Sequence, residues 1–310
     1  LYKAMRDKKG CAALFVDMEK AFDDLVWHLE EPRVGQSYPN YYVSSLASQS
    51  VKVVLSGTGG DELFGGYPWR YFQSPSSDSF EDYIDKYYLY WQRLVSNTEL
   101  KKIFSPIQSE TKHLYTRDIF RDVFPPSIRA ASTIQDYINR SLYFEAKTFL
   151  HGLLTIEDKI SMAHGLESRV PFLDNDLVEF AMRCPVHLKL NLNIDSYRIN
   201  ENINENKQSV YFNRTNNGKL ILREAMRRRL PEEIVNLPKQ GFSGPDASWY
   251  RGKSINYVRK RLTNIKGPFK DLVDQRELNQ LLNEHFSGKS NRRLAIWSFL
   301  FVDEYLRQHF

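Results

Sequence analysis

Asp61 and Glu62 are the residues of this 310-residue chain whose types and setting best suit chemistry. They follow the run Val51-Lys52-Val53-Val54-Leu55-Ser56-Gly57-Thr58-Gly59-Gly60 and precede Leu63-Phe64-Gly65-Gly66-Tyr67. An acidic pair just past a glycine-rich turn presents hard oxygen ligands, and Mg²⁺ takes one or two carboxylates together with phosphate oxygens. Gly57, Gly59 and Gly60 let the backbone turn sharply and come close to a ligand. On its own the pattern fits an anion or metal site, and it fits a tight structural turn equally well.

A mouth needs a wall behind it. The branched apolar residues from Val51 to Leu55 read as a buried strand of a parallel sheet. In open α/β sheets, ligands lie beyond the carboxyl ends of such strands, which would put both Asp61 and Glu62 at the opening. Upstream, Met18, Ala21, Phe22, Leu25, Val26 and Leu29 recur at helical spacing. Pro32 ends that helix by pushing Glu31 out of helical geometry, and Pro39 opens the next. Downstream, the aromatic stretch Trp69 to Trp91 carries too few interleaved basic residues for a base-stacking platform and reads as core packing. Two helices are predicted, one from Ser132 to His151 ending near Gly152 and one from Leu154 to Leu166. Asp158, Ser161 and Gly165 would share a face of the second that could front a pocket. Asp174 is a helix cap for Asp176 through Arg183. Further on come an Asn-rich irregular stretch from Leu190 to Lys207, a basic helix from Lys219 to Leu230 and a short turn after Pro231. Pro238 to Phe242 is a loop, and amphipathic helices cover Trp249 to Leu262 and Leu294 to Leu306.

Composition narrows the class. With 42% hydrophobic and 26% charged residues the chain reads as an ordinary soluble globular protein. A net charge of +5, spread rather than clustered, argues against nucleic acid as a partner. Cys11 and Cys184 make neither a metal spacing nor a disulfide framework, so a reducing, cytoplasmic setting is expected. No apolar run is long enough to span a bilayer, and no signal peptide is visible.

Three stretches in order, Ser56 to Tyr67, Ile156 to Leu173 and Leu237 to Gly244, resemble the glutamine-dependent asparagine synthetases, specifically their C-terminal synthetase domain. The resemblance covers about Met18 to the C-terminus. It leaves residues 1–17 unassigned and makes 18–310 a partial synthetase domain. It implies an α/β fold of the adenine-nucleotide α-hydrolase type with a parallel sheet, this part of it predominantly helical. The implied reaction is ATP-dependent: the aspartate side chain is adenylated, and ammonia derived from glutamine then attacks. The implied cofactors are ATP and Mg²⁺, with a glutaminase domain as partner and no membrane or nucleic acid. Carried onto this sequence, the motifs make Asp61 the metal ligand, Lys239 the phosphate clamp and Arg169 a further catalytic residue. Ser56, Gly57, Gly59, Gly60, Glu62 and Asp158 fall to ATP and substrate binding. For Arg169 and Asp158 a buried ion pair or a helix cap is the competing reading, and His164 reads as a packed helix residue.

Two departures bear on that reading. Many family members carry a glutamate where Thr58 stands, one that helps ammonia attack. No Ser-Gly-Gly-x-Asp-Ser pyrophosphate loop occurs in the 310 residues, so this chain alone is expected to be inactive, or a partner-binding remnant. Separately, Phe15 to Asp23 resembles a catalytic-palm motif of reverse transcriptases from mobile elements, a short match whose alternative is a strand running into a helix.

Overall fold

The structure, a computed structural model, describes residues 22–31, 37–72, 77–92, 95–130, 133–192, 218–237 and 255–310. Phe22, Leu25, Val26 and Leu29 bear out the helical spacing: a helix covers 22–29 and all four side chains are fully buried. They pack into one core with the C-terminal helix Arg293–His309 and with helices Ile255–Leu262 and Gln275–Phe286. Phe22 meets the Trp297 ring edge-on, with centroids 5.3 Å apart. Arg261 ties the same helices by donating to Asp303 at 2.7 Å and Glu304 at 2.6 Å.

A second core is aromatic. Tyr83 and Tyr87, from helix Phe80–Trp91, pack with Phe120, Phe124, Tyr137 and Phe144. The expected role of this stretch as packing therefore holds. Helix Ile134–Phe144 begins at a capping box made by Thr133 and Asp136. It does not end near Gly152. It passes through a π turn, Glu145–Phe149, straight into helix Leu150–Ala163. A glycine inside a helix costs only about 1 kcal/mol relative to alanine, too little to break one held by packing on both sides.

Two short strands form the sheet among the described residues. β1 (Val53–Leu55) runs parallel to β2 (Glu167–Arg169), pairing Val53 with Glu167, Val54 with Ser168 and Leu55 with Arg169. The expected parallel sense is seen; the expected burial is not, since Val53 is 52% and Leu55 77% exposed. Strand side chains alternate, so Val54 and Ser168 share the face turned to helix Leu150–Ala163, while Val53 and Leu55 share the other. Nothing among the described residues covers that other face. Helix Tyr38–Ser48, with Pro39 in its first turn, packs on helix Leu150–Ala163 and delivers the chain to β1. The described chain is thus mostly helical around a small parallel element.

Candidate functional site at the end of β1

The turn after β1 is held by its own hydroxyls. Ser56 continues the ladder, its N–H donating to the Arg169 carbonyl at 2.8 Å. Its Oγ accepts from the Thr58 N–H at 3.3 Å and lies 3.0 Å from Thr58 Oγ1. Around Gly57 there is open space where a side chain would project. Gly59 stands at φ +94° and caps the short helix Gly60–Phe64. A β-carbon there would sit 2.6 Å from Leu173, so both conformation and space require glycine. Leu63 and Phe64 pack against Ala181 of helix Asn175–Arg183, which Asp174 caps as expected, and against Ile221 and Leu222. This small core fixes the direction in which the acidic residues point.

Successive helical residues are about 100° apart, so Asp61 and Glu62 point in different directions from the short helix. Asp61 opens to a cleft of about 300 Å³ lined also by Gly66, Lys219, Leu222, Arg223 and Leu237. Its Oδ1 is 2.6 Å from Lys219 Nζ. Lys219 lies at φ +57°, caps helix Leu220–Met226 and donates its N–H to the Phe64 carbonyl at 3.1 Å. Arg223 closes the far wall, donating to the carbonyls of Gly218 at 3.2 Å and Val235 at 2.6 Å. The site thus pairs an acid from one motif with a cation from a segment that carries none. Sequence reading made Lys219 only the start of a basic helix; its strained φ is invisible in the residue letters.

Glu62 is not at the mouth. It is 2% exposed, and burial pushes its carboxyl above the usual range, with Asp61 adding to the effect. One of its oxygens has no hydrogen-bond partner among the described residues. Beneath it, Arg70 donates to Glu145 at 2.8 Å inside the core and stacks over the rings of Tyr67, at 4.2 Å, and Phe149, at 4.4 Å. Burial and the neighbouring Asp61 and Glu62 carboxylates keep the Tyr67 phenol protonated.

On the other side of the turn stands a carboxylate that sequence reading passed over. Glu157, on helix Leu150–Ala163, accepts hydrogen bonds from the hydroxyls of Thr58 and Ser168, one on each oxygen. The neighbouring Asp158, the expected residue, is exposed and no part of this network. Arg169 supplies its carbonyl to Ser56, but its exposed guanidinium pairs with Glu167 on its own strand at 2.9 Å. His164 packs edge-on against Tyr41, with centroids 4.5 Å apart. Lys239 lies outside the described residues, as do Cys11 and residues 15–21 of the palm-like stretch.

Comparison with known proteins shows the family. The sequence model of the family described as Asparagine synthase matches residues 15–307, taking in the palm-like stretch as well. The chain is 27% identical to the putative glutamine-hydrolyzing asparagine synthetase of Mycobacterium tuberculosis, over 90% of this chain and 43% of that protein. It is also 27% identical to glutamine-hydrolyzing asparagine synthetase 1 of Bacillus subtilis, over 89% of this chain and 44% of the relative. Amidase chyE of Penicillium rubens is 24% identical over 86% of this chain and 43% of its own length. The chain therefore spans less than half the length of these relatives. A family match that runs almost from end to end leaves one conclusion: the chain belongs to the asparagine synthase family.

Proposed function

We propose that this chain carries the ATP-dependent amide-forming site of an asparagine synthetase. ATP adenylates the side-chain carboxylate of aspartate and releases pyrophosphate; ammonia then displaces AMP. One observation carries the reading: the glycine turn at the carboxyl end of β1 sets Asp61 against Lys219 across a cleft, in a chain of this family. The open space at Gly57 suits close contact with a nucleotide, with Ser56 and Gly57 walling the adenine or acyl pocket, while Gly59 and Gly60 let the turn pack against Leu173 and Phe172. The same reading takes β1 and β2 as part of a parallel sheet of the adenine-nucleotide α-hydrolase type.

Mg²⁺ fits the donors present. Asp61 offers a hard oxygen at the cleft, and an ion carried in on phosphate oxygens asks only one or two carboxylates of the protein. Asp61 would hold it, and when bound it would offset phosphate charge. Lys219 would turn from Asp61 towards phosphate, and Lys239, on the family motif, would join it as a compact, mobile cation. Arg169 and Asp158, both at the surface, are assigned to the substrate side. The reading takes ammonia from glutamine through a glutaminase domain and places the reaction in the cytoplasm, consistent with the free, buried Cys184.

The test is product identity. With the full-length natural protein, aspartate, ammonia and labelled ATP, AMP and pyrophosphate should form in step with asparagine. ADP and phosphate in their place would overturn the reading. A second reading, a catalytically inactive chain that binds a partner, draws on the exposure of Val53 and Leu55; it requires that no nucleotide be consumed at all.

A further inference from the structure

We propose that Glu157 is the proton acceptor of the amide-forming half-reaction, working through the hydroxyl of Thr58; this rests on the reading given above. Most carboxylates around the turn are committed to a partner or buried. Asp61 is paired with Lys219, Glu145 with Arg70 and Glu167 with Arg169. Glu62 is buried. Glu157 alone in this group holds hydroxyl protons from two separate elements, Thr58 in the turn and Ser168 on β2. No lysine or arginine among the described residues makes a salt bridge to it, so among them it can take a proton without breaking an ion pair.

Its place is equally specific. Ser56, Thr58, Glu157 and Ser168 form one chain of hydrogen bonds across the carboxyl end of β1 and the middle of β2. Thr58 is the member of that chain that follows the exposed Gly57, where there is open space; on its other side Gly59 is closed off by Leu173. On this proposal a nucleophile arrives from the Gly57 side and meets Thr58, whose hydroxyl is bonded to Glu157.

The step balances. The ammonia lone pair forms the C–N bond at the acyl carbon, and the C–O bond to the adenylate breaks, its electron pair leaving with AMP. The nitrogen must then shed one proton. Thr58 Oγ1 receives it while passing its own proton to Glu157 Oε2, and Glu157 later returns a proton to water. A positioned base of this kind contributes roughly 10²–10⁴ in rate.

The experiment supplies chemically prepared aspartyl-adenylate and ammonia to the full-length natural protein, so that no earlier step is needed. Amide formation is compared in wild type, Glu157→Gln, Glu157→Asp and Thr58→Val, with ATP–pyrophosphate exchange measured alongside. Glutamine can still meet both hydroxyls, so Glu157→Gln should melt with the wild type. It should lose about a hundredfold or more of amide formation while keeping exchange. Glu157→Asp should recover part of the loss, and Thr58→Val should lose amide formation with Glu157 in place. Wild-type amide formation in Glu157→Gln would overturn the proposal. Equal losses of amide formation and exchange would overturn it too, since that is the mark of a structural role. So would a wild-type protein that fails to accelerate attack on the supplied adenylate. Absence of wild-type exchange, by contrast, speaks against the adenylation reading and leaves the aminolysis comparison to decide on Glu157.

Discussion

Lys219 holds its ammonium 2.6 Å from the Asp61 carboxylate out of a left-handed backbone conformation, φ +57°, that lysine rarely adopts. The two side chains are about a quarter exposed, so their attraction is worth no more than about 1 kcal/mol. The backbone conformation costs a similar amount, roughly 1–2 kcal/mol for a residue other than glycine. Stability alone would thus be served by glycine at 219. Lysine at 219 fits the phosphate role proposed above, since backbone strain gathers at functional positions.

Strain and charge can be separated by two substitutions. Lys219→Ala keeps the strain and loses the charge; Lys219→Gly loses both. The glycine variant should be the more stable by about 1 kcal/mol in urea unfolding. Both should bind ATP more weakly than wild type. An alanine variant as stable as the glycine one would remove the strain argument.

The Arg70–Glu145 pair beneath the site is fully enclosed, with Glu145 at 0% exposure. Glu145→Ala leaves a guanidinium in the core without its counter-charge and should cost about 3–5 kcal/mol. The double variant Arg70→Met, Glu145→Leu should recover most of that loss. Chemical denaturation of the three proteins checks it; a single variant within experimental error of wild type would show that the pair is not holding the core.

Glu62 gives stability a pH dependence of known sign. Burial raises its folded carboxyl above the ordinary value of 4.5, so between the two values the folded state holds more protons than the unfolded state. Its contribution is therefore fully present below the unfolded value and is lost as pH rises through the raised one. Glu62→Gln, which cannot ionise, should show a flatter decline across that window and gain on wild type towards neutral pH. Parallel curves for the two proteins, from urea midpoints at a series of pH values, would contradict this.

What could be read from the residues was local. Phe22, Leu25, Val26 and Leu29 announce their helix because burial follows the helical repeat. The turn after Leu55 is legible because Gly59 must take a positive φ. The exposure of Val53 and Leu55 was not legible, because an apolar run records what the strand can bury and not how many neighbours it has. The partnership of Asp61 with Lys219 joins distant segments through packing around Leu63, Phe64 and Leu222, which no spacing encodes. Glu157 was missed by one residue: adjacent acids on a helix look alike in sequence, and only the docking of β2 decides that Glu157 turns inward and Asp158 outward.

The central claim is that Asp61 serves nucleotide chemistry at the end of β1. Aspartate-dependent ATP–pyrophosphate exchange, measured across Mg²⁺ concentrations in the full-length natural protein and in Asp61→Asn, tests it most directly. The account predicts exchange in the wild type and a loss on the order of a hundredfold in Asp61→Asn at low Mg²⁺, with little change in melting temperature. Full exchange by Asp61→Asn at low Mg²⁺ would contradict it.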